Sequence, residues 1–396
     1  MVRSLTCPGI ASMEWMVPTR RLDEAQQSVL RQCADMTRQP KWVEGFAGSG
    51  KTVLLVHATQ SFVQKNPDSR VCIVVFTHAL IDLIRSGIAP ELRPRIPVMT
   101  WLHFVNRDST HYDLVVVDEV QDVPANILRL MRGRAARLLI GGDDAQSIYQ
   151  NGSRAEKIET VLQPDRMKLP MVYRLTRKII NVVKTILPDH NIVSASSGRM
   201  EEIQVTLAHA ESVELELAWV WQQAKRFTET GHPCVVVLSG HPAIQNFMRS
   251  VAGMEGVSLP DFGLDRWKNH DYSAVNAKLL GGDAGIALQY LGNAYGSLED
   301  SDSRPVVYVM TYHSIKGLDF RTVFLPLLTP ETRFWQEPDI DRRLFFVGAT
   351  RSRRDLFMSY HGREPHPYVQ NMPEQELHRL EIGGIDEGND KTGFIF

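Results

Sequence analysis

The sequence predicts an α/β protein with two domains, each built on a parallel β-sheet. The chain has 396 residues, more than the roughly 250–300 over which a single hydrophobic core keeps growing. Short apolar runs also alternate with amphipathic stretches, and such runs are typical of strands buried on both faces of a parallel sheet. These runs are Val71–Phe76, Leu114–Val117, Leu138–Ile140, Val235–Leu238, Val306–Met310 and Val323–Leu325.

We predict a domain boundary near Gln163–Lys168, where Pro164 follows a helical stretch and a new pattern begins. Residues 1–165 then form the first domain and residues 166–370 the second. Residues 371–396 are acidic with several glycines, so we expect a flexible tail there.

Composition narrows the class of protein. The formal net charge of −2 gives no overall basic surface, so any nucleic-acid contact must come from a local groove. The 4 cysteines form no Cys-x-x-Cys pair, which favours neither a disulfide framework nor a zinc site. No apolar run approaches the roughly 20 residues that cross a bilayer, and Met1–Arg20 lacks a signal-peptide core. We therefore expect a cytoplasmic protein without membrane contact.

A glycine-rich loop predicts a phosphate site. Gly45–Thr52 fits G-x-x-x-x-G-K-[ST] between a short strand at Trp42–Val43 and an apolar helix, a context that disfavours an unrelated turn. Backbone N–H groups close around phosphate oxygens, Lys51 neutralises the β/γ charge and Thr52 offers a hydroxyl to Mg²⁺. The predicted nucleotide contacts here are Gly45, Ala47, Gly48, Ser49, Gly50, Lys51 and Thr52.

Two carboxylates follow the apolar run Val115–Val117. Asp118 is placed to hold Mg²⁺, and Glu119 is placed to orient and deprotonate an attacking water. A nuclease metal site that includes Asp122 is the alternative. The preceding phosphate loop argues against that alternative.

Asp118–Asp122 resembles the D-E-x-Q-D box of superfamily 1 helicases of the UvrD/Rep type, and the other motifs of that family follow in its order between Leu22 and Arg354. The resemblance implies two RecA-like P-loop NTPase domains with an ATP cleft between them. It also implies ATP and Mg²⁺ as cofactors.

Further nucleotide contacts come from the resemblance. In the first domain, Gln26 matches the adenine-reading glutamine, whose amide can both donate to and accept from the base. Gln146 matches the glutamine that senses the γ-phosphate, while Asp143 fits a buried structural carboxylate.

In the second domain, Tyr173 matches a residue that stacks on adenine, and Arg174 and Arg351 match two arginine fingers. An arginine supplied by a separate domain would make hydrolysis depend on closure of the cleft. Gly317 and Asp319 belong to motif V, where the family usually has glutamate in place of Asp319. A carboxylate remains there, so we expect a shortened ribose contact.

The same resemblance assigns residues to the nucleic-acid strand. Hydroxyl groups can bind phosphates and aromatic rings can stack on bases. The residues implied are Phe76, Thr77, His78, Thr100, His103, Tyr149, Thr311 and His313.

The chain also departs from the family. The stretches Phe76–Asp118 and Arg174–Thr311 are too short for the family's accessory subdomains. Asn151 stands where the family usually has a tryptophan, so base stacking worth roughly 1–3 kcal/mol per base is lost at that position.

Three functions are weighed. The first is an ATP-dependent translocase or helicase on single-stranded nucleic acid, DNA before RNA, with the family's 3′-to-5′ polarity. The second is an ATP-gated DNA sensor that controls a partner, such as a nuclease in DNA repair or anti-phage defence. The third, a P-loop kinase or GTPase, fits neither the paired arginines nor the glutamine motifs.

Overall fold

The computed structural model describes residues 15–34, 36–143, 146–173, 175–188, 204–266, 268–281, 286–292, 295–298 and 305–383. They divide into two compact units, the first comprising the described residues up to Leu175 and the second those from Thr176 onwards. Each unit contains its own parallel sheet, which confirms the predicted α/β class.

The first unit is a parallel sheet with helical connections. Its described strands are β1 (Lys41–Gly45), β2 (Val71–Val75), β3 (Val98–Thr100), β4 (Tyr112–Val117), β5 (Ala135–Gly142) and β6 (Asp165–Leu169). Its described helices are α1 (Glu24–Ala34), α2 (Lys51–Lys65), α3 (His78–Gly87), α4 (Trp101–Asn106), α5 (Ala125–Arg134) and α6 (Ala155–Leu162). The strand order is β3-β2-β4-β5-β1-β6, so β1 and β4 flank β5.

Strand β6 accounts for where the first unit ends. The sequence predicted a division between residues 165 and 166, but β6 pairs in parallel with β1 along its whole length. The backbone N–H of Tyr173 also donates to the Gly48 carbonyl at 2.9 Å. These bonds attach the segment to the first unit, and the division follows Leu175.

The second unit repeats the plan. Its described strands are β7 (Val205–Ala210), β8 (Cys234–Leu238), β9 (Gly263–Leu264), β10 (His270–Asp271), β11 (Leu288–Tyr290), β12 (Val307–Thr311), β13 (Phe320–Leu325), β14 (Ser352–His361) and β15 (His378–Ile382). Its described helices are α7 (Arg177–Val183), α8 (Val213–Glu229), α9 (His241–Met254), α10 (Ser273–Gly281), α11 (Pro338–Ala349) and α12 (Pro367–Gln370). The parallel sheet has the order β11-β12-β8-β13-β14-β7-β15, and β9 and β10 form an antiparallel hairpin.

Each unit has a hydrophobic core between its sheet and its helices. Trp42 and Phe104 lie in the first core, and Phe247 lies in the second. Trp219 and Trp221 of α8 are also buried in the second core. Burial of such large rings supplies much of the apolar area that stabilises a core.

The predicted flexible tail is wrong for its first part. Strand β15 pairs in parallel with β7 at the edge of the second sheet, so residues 378–382 are held by backbone hydrogen bonds. Residues 384–396 lie outside the described residues. Across the described ranges, no helix is long and apolar enough to cross a membrane.

A buried carboxylate joins α8 to β14 in the second unit. Glu216 is fully buried, and its Oε1 accepts hydrogen bonds from the Leu327 N–H at 2.7 Å and the Ser359 hydroxyl at 2.6 Å. Its Oε2 lies 2.6 Å from Nδ1 of His361. This hydrogen bond to Glu216 raises the pKa of His361, because the carboxylate stabilises the protonated imidazole.

We predict that Glu216→Gln lowers the free energy of unfolding by about 1–3 kcal/mol, the contribution of a hydrogen bond to a charged group. The pKa of His361 is higher in the folded than in the unfolded state, so protonated His361 stabilises the folded protein below about pH 6.5. This stabilisation is lost as the pH rises through the folded-state pKa. The deficit of the variant should therefore shrink from about pH 6 to about pH 8.5. Urea unfolding at both pH values measures it, with the exposed Glu229→Gln of the same helix as control. A deficit independent of pH would contradict the ion pair.

Candidate nucleotide and nucleic-acid sites

The loop between β1 and α2 has the conformation that a phosphate-binding loop requires. Gly48 and Gly50 have φ values of 78° and 89°, which side chains with a Cβ rarely adopt. The buried Lys51 places Nζ 2.7 Å from the Gly45 carbonyl and 3.2 Å from the Phe46 carbonyl. The ammonium group therefore lies at the loop, where it can exchange these carbonyls for phosphate oxygens.

Donors at this loop fit an anion. The Ser49 hydroxyl oxygen is buried and has no hydrogen-bond partner among the residues that the structure describes, which is costly unless a ligand supplies one. The loop also leads directly into the first turn of α2, whose N–H groups carry partial positive charge. A phosphate group would satisfy both features.

Asp118 faces Thr52 across the carboxyl edge of the sheet. Asp118 Oδ2 accepts a hydrogen bond from Thr52 Oγ1 at 2.8 Å, and its Oδ1 accepts one from the Glu119 N–H at 3.0 Å. Burial, followed by the neighbouring Glu119 charge, raises the pKa of Asp118 to about 6. Two oxygens in contact beside a second carboxylate suit a hard divalent cation, which Mg²⁺ is.

Glu119 begins a chain of side-chain hydrogen bonds from β4 to the end of β5. Glu119 has a φ of 53°, and its carboxylate accepts from the Gln121 amide. Gln121 Oε1 in turn accepts from the Asp143 N–H at 3.1 Å, and Asp143 Oδ2 accepts from Gln146 Nε2 at 2.8 Å. The predicted base and the predicted γ-phosphate sensor are thus joined through Gln121, to which the sequence had assigned no role.

Gln26 lies against the phosphate loop. Its Nε2 donates to the Ser49 carbonyl at 3.1 Å, and its Oε1 accepts from the Asp23 N–H at 3.2 Å. The amide is therefore fixed beside Gly50, whose added Cβ would come within 2.6 Å of Gln26 Nε2. Tyr173 is tied to the same loop through Gly48, whereas Arg174 lies outside the described residues.

Arg351 is buried within the second unit. It donates to the Val347 carbonyl at 2.9 Å, to the Leu318 carbonyl at 3.4 Å and to the Thr350 hydroxyl at 3.1 Å. These groups belong to the same unit as Arg351. These bonds hold the guanidinium against the residues around motif VI.

Asp319, the predicted ribose contact, forms an ion pair with Arg353. Gly317 nearby has a φ of 82°, so glycine is favoured in this turn. The motif V turn is therefore fixed by its backbone conformation and by a charge pair.

In the first unit, the aromatic residues assigned to nucleic acid meet at the surface. The rings of Phe76 and Tyr149 stack with centroids 4.2 Å apart, and Trp101 lies 6.3 Å from Phe76. All three rings are partly exposed. Trp101 stands between Thr100 and His103, in the segment that resembles a strand-contacting motif of the family, although it was not itself assigned a contact.

The polar residues of this region differ in availability. Thr100 caps α4 by accepting from the His103 N–H at 3.2 Å, so its hydroxyl already has a structural task. Within the described part of the chain, the buried Thr77 hydroxyl has no hydrogen-bond partner. His78 and His103 are exposed.

In the second unit, Thr311 and Ser314 exchange hydrogen bonds. The Thr311 hydroxyl accepts from the Ser314 N–H at 3.0 Å, and the Ser314 hydroxyl accepts from the Thr311 N–H at 2.9 Å. His313 lies edge-on to Trp335 with ring centroids 4.8 Å apart. Trp335 had been assigned nothing from the sequence.

Two family profiles match the chain. Residues 27–152 match the profile described as AAA domain, and residues 288–363 match the profile described as UvrD-like helicase C-terminal domain. The first match contains the phosphate loop and Asp118, and the second contains Thr311 and Arg351.

Individual relatives are similar over only part of their length. Over 106 residues the chain is 30% identical to DNA helicase II of Haemophilus influenzae, a match that covers 22% of this chain and 15% of that protein. A complex of Arterivirus nonstructural protein 10 (helicase) with DNA is 16% identical, with a TM-score of 0.41 and coverage of 87% of this chain and 65% of that one. The PRRSV helicase is 15% identical, with a TM-score of 0.42 and coverage of 88% and 56%.

We predict that Gly50→Ala lowers the affinity for a fluorescent ATP analogue by about tenfold or more, since a left-handed Cβ costs roughly 1–2 kcal/mol. Its Cβ would also clash with Gln26. The matched control is Gly133→Ala in α5, where an added Cβ meets nothing within 4 Å, so affinity should not change. Equal affinity in both variants would show that the loop conformation does not matter for binding.

Proposed function

We propose that this chain is a UvrD-like superfamily 1 helicase, which the matches to family profiles and to DNA helicase II support, and that it hydrolyses ATP with Mg²⁺ and uses the hydrolysis to move along single-stranded DNA. The observation that carries this proposal is the position of Lys51 at a glycine loop, one residue before the Thr52–Asp118 hydrogen bond. Phosphate and metal ligands thus meet in one place.

Each group at the phosphate site has a task that its chemistry suits. Lys51 balances the charge on the β- and γ-phosphates, and Ser49 donates its unpartnered hydroxyl. Thr52 and Asp118 hold the metal ion. When bound, Mg²⁺ neutralises charge that builds on the phosphate oxygens during transfer.

Glu119 is the proposed general base. It accepts the proton of the attacking water, and Gln121 holds its carboxylate in place by a hydrogen bond. Further hydrogen bonds link Gln121 through Asp143 to Gln146. Loss of the γ-phosphate can be transmitted along these bonds between Glu119 and Gln146. Gln146 is then the sensor.

The remaining nucleotide contacts are proposed from the family motifs. Gln26 and Tyr173 bind the adenine, while the turn at Gly317 and Asp319 binds the ribose. Arg174 and Arg351 stabilise charge on the transferred phosphoryl group.

The proposed strand contacts use two kinds of group. Phe76 and Tyr149 offer rings to bases, and the unpartnered Thr77 hydroxyl offers a donor to phosphate. The remaining proposed contacts are His78, Thr100, His103, Thr311 and His313. Movement in the 3′-to-5′ direction is the family's polarity.

We predict that Lys51→Ala and Glu119→Gln both reduce ATP turnover to background, by about 10³-fold or more, yet differ in nucleotide affinity. The lysine variant loses charge that binds phosphate, whereas the glutamine variant keeps the Thr52–Asp118 pair. Turnover is measured by phosphate release and affinity by titration, with the exposed Lys65→Ala of α2 as control. Normal turnover in Glu119→Gln would remove this residue from the role of base.

Strand separation should be weak. The residues between Phe76 and Asp118 form α3, β3, α4 and β4 with their connections, so no accessory subdomain is inserted in this range. Opening a duplex must offset stacking of roughly 1.4 kcal/mol per base-pair step. We therefore expect single-stranded DNA to raise ATP turnover about tenfold or more, while unwinding of a tailed duplex stays near background.

The unwinding assay also tests the position of Asn151, where the family's base-stacking tryptophan is absent. We expect Asn151→Trp to increase the base pairs opened per ATP, since a ring there restores stacking. Asn151→Ala is the control that removes the amide without adding a ring. Processive unwinding by the wild-type chain alone would contradict the predicted separation of translocation from unwinding.

A further inference from the structure

Trp335 is an exposed tryptophan in the connection between β13 and α11. Its exposed fraction is 41%, and the other large apolar side chains exposed to this degree in the described chain are aliphatic, namely Leu102, Leu215, Met254 and Leu264. Tryptophan is usually well buried because its ring carries a large apolar area. An exposed ring of this size therefore calls for a partner or for a local structural reason.

The backbone that carries Trp335 is fixed from inside the second unit. The N–H groups of Phe334 and Trp335 donate to Oδ1 of the buried Asp341 at 2.7 and 2.8 Å. Asp341 Oδ2 accepts from the Tyr368 hydroxyl at 2.9 Å. Phe334 is buried and packs edge-on against Tyr312 with ring centroids 4.5 Å apart. The structure thus holds the loop while leaving the adjacent indole in solvent, which is the arrangement of a preorganised contact.

The ring that contacts the indole belongs to His313, which is already a proposed strand contact. His313, two residues after Thr311, lies edge-on against Trp335. Burial, followed by the charge of Lys316, lowers the pKa of His313 to about 4, so the imidazole that lies against the indole is uncharged near pH 7. Arg333, two residues before Trp335, is exposed. Its guanidinium donates to the carbonyls of Pro330 and Thr332, each at 2.8 Å.

We infer that Trp335 is a base-stacking platform for single-stranded DNA in the second unit, supported by His313, with the exposed Arg333 two residues earlier in the same segment. This inference rests on the proposed function. A segment that carries an exposed ring and an exposed cation suits a single strand, since a cation attracts phosphate while a ring stacks on any base. The platform lies on a different segment from Asn151, where the family's tryptophan is absent, and would supply stacking by another route.

The test compares two strands that differ only in their bases. Binding of the full chain to a fluorescein-labelled oligothymidine is measured beside binding to an abasic strand of the same length, which keeps every phosphate. We expect Trp335→Ala to weaken binding of oligothymidine about tenfold and to leave the abasic strand within about twofold. Trp335→Phe should retain binding within about threefold, because a smaller ring still stacks.

Two further variants keep the result interpretable. Trp335→Leu preserves apolar bulk without a ring, so it should lower the preference for oligothymidine over the abasic strand about tenfold even if Trp335→Ala fails to fold. Met254→Ala, at an exposed apolar residue of α9, should behave as wild type. Unchanged discrimination in Trp335→Leu, with a wild-type chain that binds oligothymidine, overturns this inference alone. A wild-type chain that binds neither strand overturns the proposed function and this inference with it.

Discussion

The hydrogen bond from Thr52 to Asp118 joins the first turn of α2 to the end of β4, and the nucleotide site depends on it. Parallel strands bring their carboxyl ends to one edge, but β5 lies between β1 and β4, so the groups must meet across its end. Glycine makes this possible. A Cβ on Gly141 would lie 2.7 Å from the Leu55 side chain, and one on Gly142 would lie 2.5 Å from Gln121 Oε1. Strand order and two small residues therefore set the distance between the proposed metal ligands.

Several ionisable groups are buried at this site, namely Asp118, Glu119, Asp143 and Lys51. Burial disfavours the charged form of a carboxylate, and the raised pKa of Asp118 reflects that cost together with the neighbouring Glu119 charge. A divalent cation would relieve it, and the phosphates that accompany the cation would meet Lys51 and the N-terminus of α2. The site is thus suited to a metal–nucleotide complex more than to either component alone.

The sequence was informative where the signal is local. The phosphate loop and the Asp118–Glu119 pair are contiguous motifs, and central strands such as β2 and β8 are continuous apolar runs that are buried throughout. Strands β6 and β15 lie at sheet edges and carry exposed charged residues, so they lack that signal. Contacts between distant residues were also beyond sequence reasoning. The pairing of Asp319 with Arg353 and of His313 with Trp335 depends on how the chain returns to the same place.

Helix α11 connects the two kinds of proposed contact in the second unit. Asp341 in its first turn holds the loop of Trp335, and Arg351 lies just beyond its last residue. Near that end, a Cβ on Gly348 would come within 2.4 Å of the Tyr312 ring, so the helix and the motif V segment are in close contact. Closely packed elements cannot shift past each other without repacking. Asp341 near one end of α11 holds the loop of Trp335, and Gly348 near the other end packs on Tyr312, the neighbour of His313. The residues proposed for base stacking in this unit therefore share one rigid helix as their support.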